Sequence, residues 1–137
     1  MGIVYTEITL KNAGDVINVR RGIIKEPEIR QTTVTALVDT GAGTLVINEA
    51  IRQQLGLEIE STQSAELADG SSQTYSKTEV VQIHWKNRNS ACKALVVPNT
   101  SEVLLGAIPL EDMDLIINPS AQEITGAHGD EIVCKLK

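Results

Sequence analysis

Short segments that alternate apolar and polar residues follow one another along most of the chain, and each ends at a turn signal. "IVYTEITL" and "IRQTTVTALV" have the period of two that is typical of strands with one buried face. Turn chemistry stands between such segments, as in "NAGD" at 12–15 and at Asp69-Gly70. Because turn signals recur about every 8–12 residues, we expect a mainly β fold, closed or sandwiched, of roughly eight to ten short strands.

One segment breaks this period and predicts a helix at about residues 48–55. In "NEAIRQQLGL", Asn48 suits the N-cap and Gly56 the position just past the C-terminus. Ile51 and Leu55 are four residues apart and would face the core.

Three further elements are predicted less directly. A short helical turn is expected at about 109–113, where Pro109 begins the segment between two apolar runs. "VINVRRGIIK" at 16–25 is interpreted as a second strand, bulged at Gly22, and the tail "EIVCKLK" at 131–137 as a last one.

Composition limits the function classes. The 137 residues predict one domain, 1–137, and a single Trp, two Tyr and no Phe predict an aliphatic core. A net charge of −6 without a basic stripe argues against nucleic-acid binding. We find neither an apolar run long enough to span a membrane nor a secretory signal, so a cytoplasmic protein with reduced Cys92 and Cys134 is expected.

Several kinds of site are disfavoured by spacing. His84, His128, Cys92 and Cys134 lack the close, regular spacing of metal ligands, so neither a metal nor a cofactor is expected. The nucleophile elbow of serine hydrolases and the Walker loop are absent, and Val46 stands where a dinucleotide fingerprint needs its third glycine. The Gly-rich loop also resembles phosphate loops of large two-lobed ATPases, but those need a much longer chain.

The most informative stretch is "TALVDTGAGTLVINEA" at 35–50, which places Asp39 on a loop of small residues between two apolar runs. An aspartate that begins a turn is common, and the triplet Asp-Thr-Gly alone is weak. Its setting is stronger, because the hairpin signal at Asp69-Gly70 and then Leu104-Leu105-Gly106 follow in order.

In this order of motifs the chain resembles the retropepsin-like aspartic proteases, and in detail their bacterial and archaeal single-domain members. The resemblance covers roughly residues 30–118 and rests on "LVDTGA", "ELADG" and "LLGAIPLEDMDLIINP". It implies a closed acid-protease barrel and an aspartic endopeptidase. With a single Asp-Thr-Gly, it further implies a homodimer in which Asp39 pairs with Asp39 of the partner subunit.

The resemblance also assigns roles to the neighbours of Asp39. Thr40, Gly41 and Ala42 would form the active-site loop, and Leu104, Leu105 and Gly106 would support it. Leu67, Ala68, Asp69, Gly70 and Ser71 would form the tip of a flap that closes over an extended peptide substrate, with Tyr75 on its return arm. The terminal strands would build the dimer sheet.

Two positions depart from the viral pattern. Viral members carry an acidic residue after Asp-Thr-Gly-Ala and an arginine after the later apolar-apolar-Gly, where this chain has Gly43 and Ala107. The flap tip has only one glycine, Gly70. A non-catalytic peptide-binding or dimerisation module with the same fold stays open as the alternative function.

Overall fold

The computed structural model describes residues 3–99, 101–134 and 136. These residues form nine strands: β1 Tyr5–Asn12, β2 Gln31–Val38, β3 Leu45–Asn48, β4 Ile59–Glu66, β5 Ser72–Trp85, β6 Arg88–Val97, β7 Val103–Leu105, β8 Leu115–Asn118 and β9 Glu123–Gly126. They also form three α-helices, α1 Ala13–Arg20, α2 Glu49–Leu55 and α3 Ala107–Asp112, and a 3₁₀ turn at Glu26–Glu28.

Six strands close into a barrel. The order is β1-β2-β7-β3-β6-β5, and β1 pairs with β5 to complete the ring, while β4 extends from β5 outside it. β8 and β9 form a separate hairpin. The mainly β fold and the closed barrel predicted from the sequence are therefore confirmed.

The barrel interior is aliphatic, as the scarcity of aromatic residues predicts. Its fully buried side chains include Ile8, Leu10, Leu45, Ile47, Leu55, Ile83 and Leu105. The single tryptophan, Trp85, is buried at the end of β5, and its indole N–H donates to Thr6 Oγ1 at 2.9 Å. An indole buried in this way keeps its one polar group satisfied.

The predicted helix at 48–55 is confirmed as α2. The Asn48 side chain accepts from the backbone N–H of Ile51 at 2.9 Å, and Gly56 has a positive φ of 64°. Ile51 and Leu55 are buried, as their spacing indicates. The second predicted helix, at about 109–113, is α3, but it begins earlier, at Ala107, so Pro109 lies inside its first turn.

The strand predicted at 16–25 is wrong, because its first half belongs to helix α1 and turns and bends follow at 21–24. The β-branched residues favour a strand locally, but Asn12 caps the helix by accepting from the N–H of Asp15 at 3.1 Å. Asp15 then binds Arg30 with both carboxylate oxygens, at 2.9 Å each. These tertiary contacts outweigh the strand propensity.

The strand predicted for the tail at 131–137 is not formed by the described residues of this single chain. Glu131 makes one isolated bridge to His128, and Ile132–Cys134 have no regular structure. Lys135 and Lys137 lie outside the described residues. The first strand, β1, is paired on both sides, with β2 and with β5.

Searching the described helices for a membrane span gave no segment with sufficient length and apolar character.

Candidate active site

Asp39 stands directly after β2, at the start of a tight loop. Its backbone N–H donates to the carbonyl oxygen of Leu105 at 3.0 Å, and its own carbonyl accepts from Ala42 at 3.1 Å. Its carboxylate accepts from the N–H of Gly41 at 2.9 Å. These three bonds hold the half-buried Asp39 in one orientation relative to the barrel.

The loop from Asp39 to Thr44 is held by strands that come from distant parts of the sequence. β7 runs parallel to β2, with Leu105 beside Val38, and β3 contacts β7 from the other side, with Val46 beside Leu104. The short strand β7 therefore lies between the strand that enters the loop and the strand that leaves it.

Gly106 follows β7 and lies against the loop backbone. A β-carbon there would overlap the carbonyl oxygen of Thr44 and would lie 2.7 Å from that of Ala42. The next two residues bind the loop directly, since Ala107 donates to Ala42 at 2.8 Å and Ile108 donates to Gly43 at 3.1 Å. Glycine is required at position 106 by this close approach.

The loop residues present little bulk to solvent. Thr40, Gly41 and Gly43 are exposed, and Ala42 is half-buried. A β-carbon at position 41 would lie 3.1 Å from Asp39 Oδ1, so glycine keeps the space beside the carboxylate open.

The hairpin predicted around Asp69-Gly70 is confirmed as β4 and β5. Its tip is closed by two backbone bonds, from the N–H of Leu67 to the carbonyl of Ser71 and from the N–H of Gly70 to the carbonyl of Leu67, and Gly70 has a φ of 87°. Asp69 Oδ1 accepts from the hydroxyl of Ser71 at 2.6 Å and from its N–H at 2.9 Å. These bonds hold the pKa of Asp69 below its usual value, the side-chain bond contributing most.

An open cleft of about 890 Å³ joins the loop and the hairpin. Its lining includes the Asp39 loop, the hairpin with Leu67, Ala68 and Tyr75, and strand β6 with Lys93, Leu95 and Val97. The structure thus places Asp39 and the hairpin residues Leu67 and Ala68 on one cleft. Asp69, Gly70 and Ser71 form the tip beyond this lining.

Residues 26–112, well over half of the chain, match the family model described as "gag-polyprotein putative aspartyl protease". The chain belongs to this retropepsin-like family. The match includes the Asp39 loop, the hairpin and Gly106. The search against curated proteins found no match.

The two positions where this retropepsin-like chain departs from the viral pattern are adjacent in space. Gly43 and Ala107 carry no charges to pair, and the backbone bonds from Ala107 and Ile108 to the loop join the same two segments. Main-chain bonding thus connects the loop to α3 without an ion pair at these positions.

Sequence reasoning missed a buried cation, Arg88, at the start of β6. Its guanidinium donates to the carbonyl oxygens of Met113 at 2.7 Å and Asp114 at 2.8 Å, and also to those of Gly129 and Glu131. No local signal reveals this role, because the partners lie 25 or more residues away in sequence.

Asp114, just past α3, binds the C-terminal segment. Its carboxylate lies 2.7 Å from His128 Nδ1 and accepts from the N–H of Val133 at 3.0 Å. Both contacts hold the pKa of Asp114 below its usual value, the Val133 N–H most strongly. In the described part of the chain, no group of three or more His, Cys, Asp or Glu residues is arranged to hold a metal ion.

Proposed function

We propose that this protein is a homodimeric aspartic endopeptidase that hydrolyses peptide bonds with a water activated by Asp39 and Asp39 of the partner subunit. The observation that carries the proposal is the position of the Asp39 carboxylate. It stands on a loop fixed by Leu105 and Gly106, beside a cleft that is also lined by a hairpin.

The chemistry needs two carboxylates that share one proton. The ionised group takes a proton from water, and the protonated group donates a hydrogen bond to the scissile carbonyl. Two carboxylates so close cannot both ionise, so one is held protonated. Because the chain has one Asp-Thr-Gly, a two-fold axis beside Asp39 would supply the second group.

The small residues of the loop support this arrangement. The exposed Thr40 and Gly41 would meet the same loop of the partner subunit, where bulky side chains would keep the two carboxylates apart. In this proposal Thr40 donates a hydrogen bond across the axis, and Gly41 leaves room for the substrate backbone.

The hairpin of β4 and β5 would act as the flap. Its tip at 67–71 extends beyond the barrel, and Tyr75 on its return arm lines the cleft. A peptide bound in extended form would add as a strand between flap and loop, with affinity from backbone bonds and specificity from the pockets.

Asp39→Asn tests the catalytic assignment, with Asp112→Asn as the matched control on an exposed aspartate at the end of α3. Each protein is incubated with a peptide library from mildly acidic to neutral pH, and cleavage is followed by mass spectrometry. We expect cleavage by the wild type and by Asp112→Asn, and none by Asp39→Asn. Equal cleavage by Asp39→Asn would remove Asp39 from the mechanism.

Mixing wild-type and Asp39→Asn chains tests whether the active site is shared between two subunits. If wild type is refolded with an equal amount of Asp39→Asn, random pairing leaves about half of the original activity. If each chain held a complete site, activity would stay unchanged. Sedimentation of both proteins should show dimers. A stable dimer that binds peptides but cleaves none would instead favour the non-catalytic module.

A further inference from the structure

The cleft contains a lysine that lacks an acidic partner. Lys77 lies half-buried on β5, in register with Ser61 of β4 on one side and with the buried Leu95 of β6 on the other. Its ammonium donates to the amide oxygen of Gln63 at 2.7 Å. Within residues 3–99, 101–134 and 136, no carboxylate forms a salt bridge with it.

Neither Lys93 nor Glu66, two other charged residues of the cleft lining, neutralises Lys77. Lys93, on the same wall, is paired with Glu60 at 2.7 Å. Glu66 also lines the cleft, but it pairs in register with Ser72, five residues along β5 from Lys77. At about 3.3 Å per residue this separation is roughly 16 Å, beyond the screening length of about 8 Å at physiological ionic strength.

The donors around Lys77 suit a carboxylate. An ammonium has three N–H groups, and the bond to Gln63 uses one of them. Because the amide oxygen of Gln63 accepts the bond from Lys77, the NH₂ group of Gln63 remains available as a further donor. The neighbouring lining residues Val46, Leu95 and Val97 are apolar, and their side chains offer Lys77 no competing acceptor.

We propose that the cleft selects peptides carrying an aspartate or glutamate side chain, which binds Lys77 and Gln63. This inference rests on the proposed function in that the peptide is the substrate of the same cleft. It adds a specificity-determining residue, Lys77, that takes no part in the chemical step.

The test compares matched peptides that differ only by glutamate or glutamine at one position. A randomised library first gives the best cleaved sequence and the position at which acids are enriched. We expect the glutamate peptide to be cleaved about five- to tenfold more efficiently in kcat/KM than the glutamine peptide. Raising the ionic strength should reduce this ratio.

Three variants separate the charge of Lys77 from its packing. Lys77→Met keeps the length of the side chain and should bring the ratio close to one. Lys77→Glu should reverse the preference toward a lysine peptide. Lys86→Met, on the turn outside the cleft, is the control and should keep the wild-type ratio. A ratio that Lys77→Met leaves unchanged would overturn the inference.

A binding experiment tests this inference independently of the proposed hydrolysis. The same library is captured on Asp39→Asn protein and the bound peptides are sequenced. Acid enrichment that disappears in the Asp39→Asn/Lys77→Met double variant supports the role of Lys77, even if the wild type cleaves no peptide and the proposed hydrolysis fails. A bound pool without acid enrichment would refute the role of Lys77, whether or not the wild type is an active protease.

Discussion

The α-carbon of Gly106 lies so close to Thr44 that a β-carbon at position 106 would overlap the Thr44 carbonyl oxygen. This contact joins the end of β7 to the loop that carries Asp39. The neighbouring bond from Ala107 to Ala42 fixes the two segments at the same point.

Gly106→Ala should therefore destabilise the protein, because the added β-carbon would meet backbone atoms of Ala42 and Thr44, which cannot move aside as a flexible side chain can. We expect a loss of about 1–3 kcal/mol in the free energy of unfolding. Urea unfolding followed by Trp85 fluorescence measures it. Gly43→Ala is the control, since nothing lies within 4 Å of its added β-carbon, and it should be nearly neutral. Equal stability of the two variants would show that the loop tolerates displacement.

Asp15 should make the stability of the protein depend on pH. Its carboxylate binds the Arg30 guanidinium through both oxygens, and this lowers the pKa of Asp15. A lowered pKa means that its contribution is present at neutral pH and is lost as the pH falls below about 4.

Asp15→Asn should accordingly lower the free energy of unfolding by about 1–2 kcal/mol at pH 7. The loss is smaller than for a fully buried pair, because Arg30 is half exposed. The difference from wild type should shrink as the pH is lowered through the acidic range. Urea unfolding over that range measures it, with the exposed Asp112→Asn as control. A difference that stays constant with pH would mean that the charge of Asp15 is not what stabilises α1.

Arg88 should be needed to hold the segment 127–134 against the barrel. Removing its guanidinium in Arg88→Met leaves the carbonyls of Met113 and Asp114 without these donors in a buried site. We expect the free energy of unfolding to fall by about 2–4 kcal/mol and proteolysis within residues 127–134 to become faster. Arg88→Lys should be intermediate, because an ammonium cannot donate in the same planar pattern. Unchanged proteolysis of Arg88→Met would show that other contacts hold the segment.

Asp69 should order the hairpin tip without stabilising the barrel. In Asp69→Ala the bonds to Ser71 are lost, but the residue is exposed, so the midpoint of unfolding should not change. Amide hydrogen exchange should become faster at Ser71 and remain unchanged at Leu105. Faster exchange at both sites would indicate that the tip and the barrel are coupled.

The parts of the fold that were predictable from sequence are those specified locally. The α2 helix carries its own cap at Asn48 and its own stop at Gly56, and the hairpin tip carries Asp69-Gly70. The helix α1 was missed because Asp15, in its first turn, binds a partner fifteen residues away, Arg30.

The residues of the candidate site also differ in whether the local sequence reveals them. Asp39 stands out in the sequence because its small neighbours and flanking strands are contiguous with it. Lys77 and Arg88 do not stand out in the sequence, because their roles depend on residues that are distant in sequence and close only in the folded structure. The cleft around Lys77 and the carbonyls around Arg88 exist only after distant strands have paired.

The parallel pairing of β2 with β7 sets Ala36 beside Val103 and ties the N–H of Asp39 to Leu105. A ribosome-bound chain that has not yet released residue 105 therefore lacks the support that fixes Asp39. Long-range parallel pairing also forms slowly, because a large loop must close first. We expect the amide of Asp39 to gain protection during refolding only together with closure of the barrel. A nascent or partly folded chain would then carry the aspartate without its positioning, which would delay any hydrolytic activity until residue 105 has emerged and the barrel has closed.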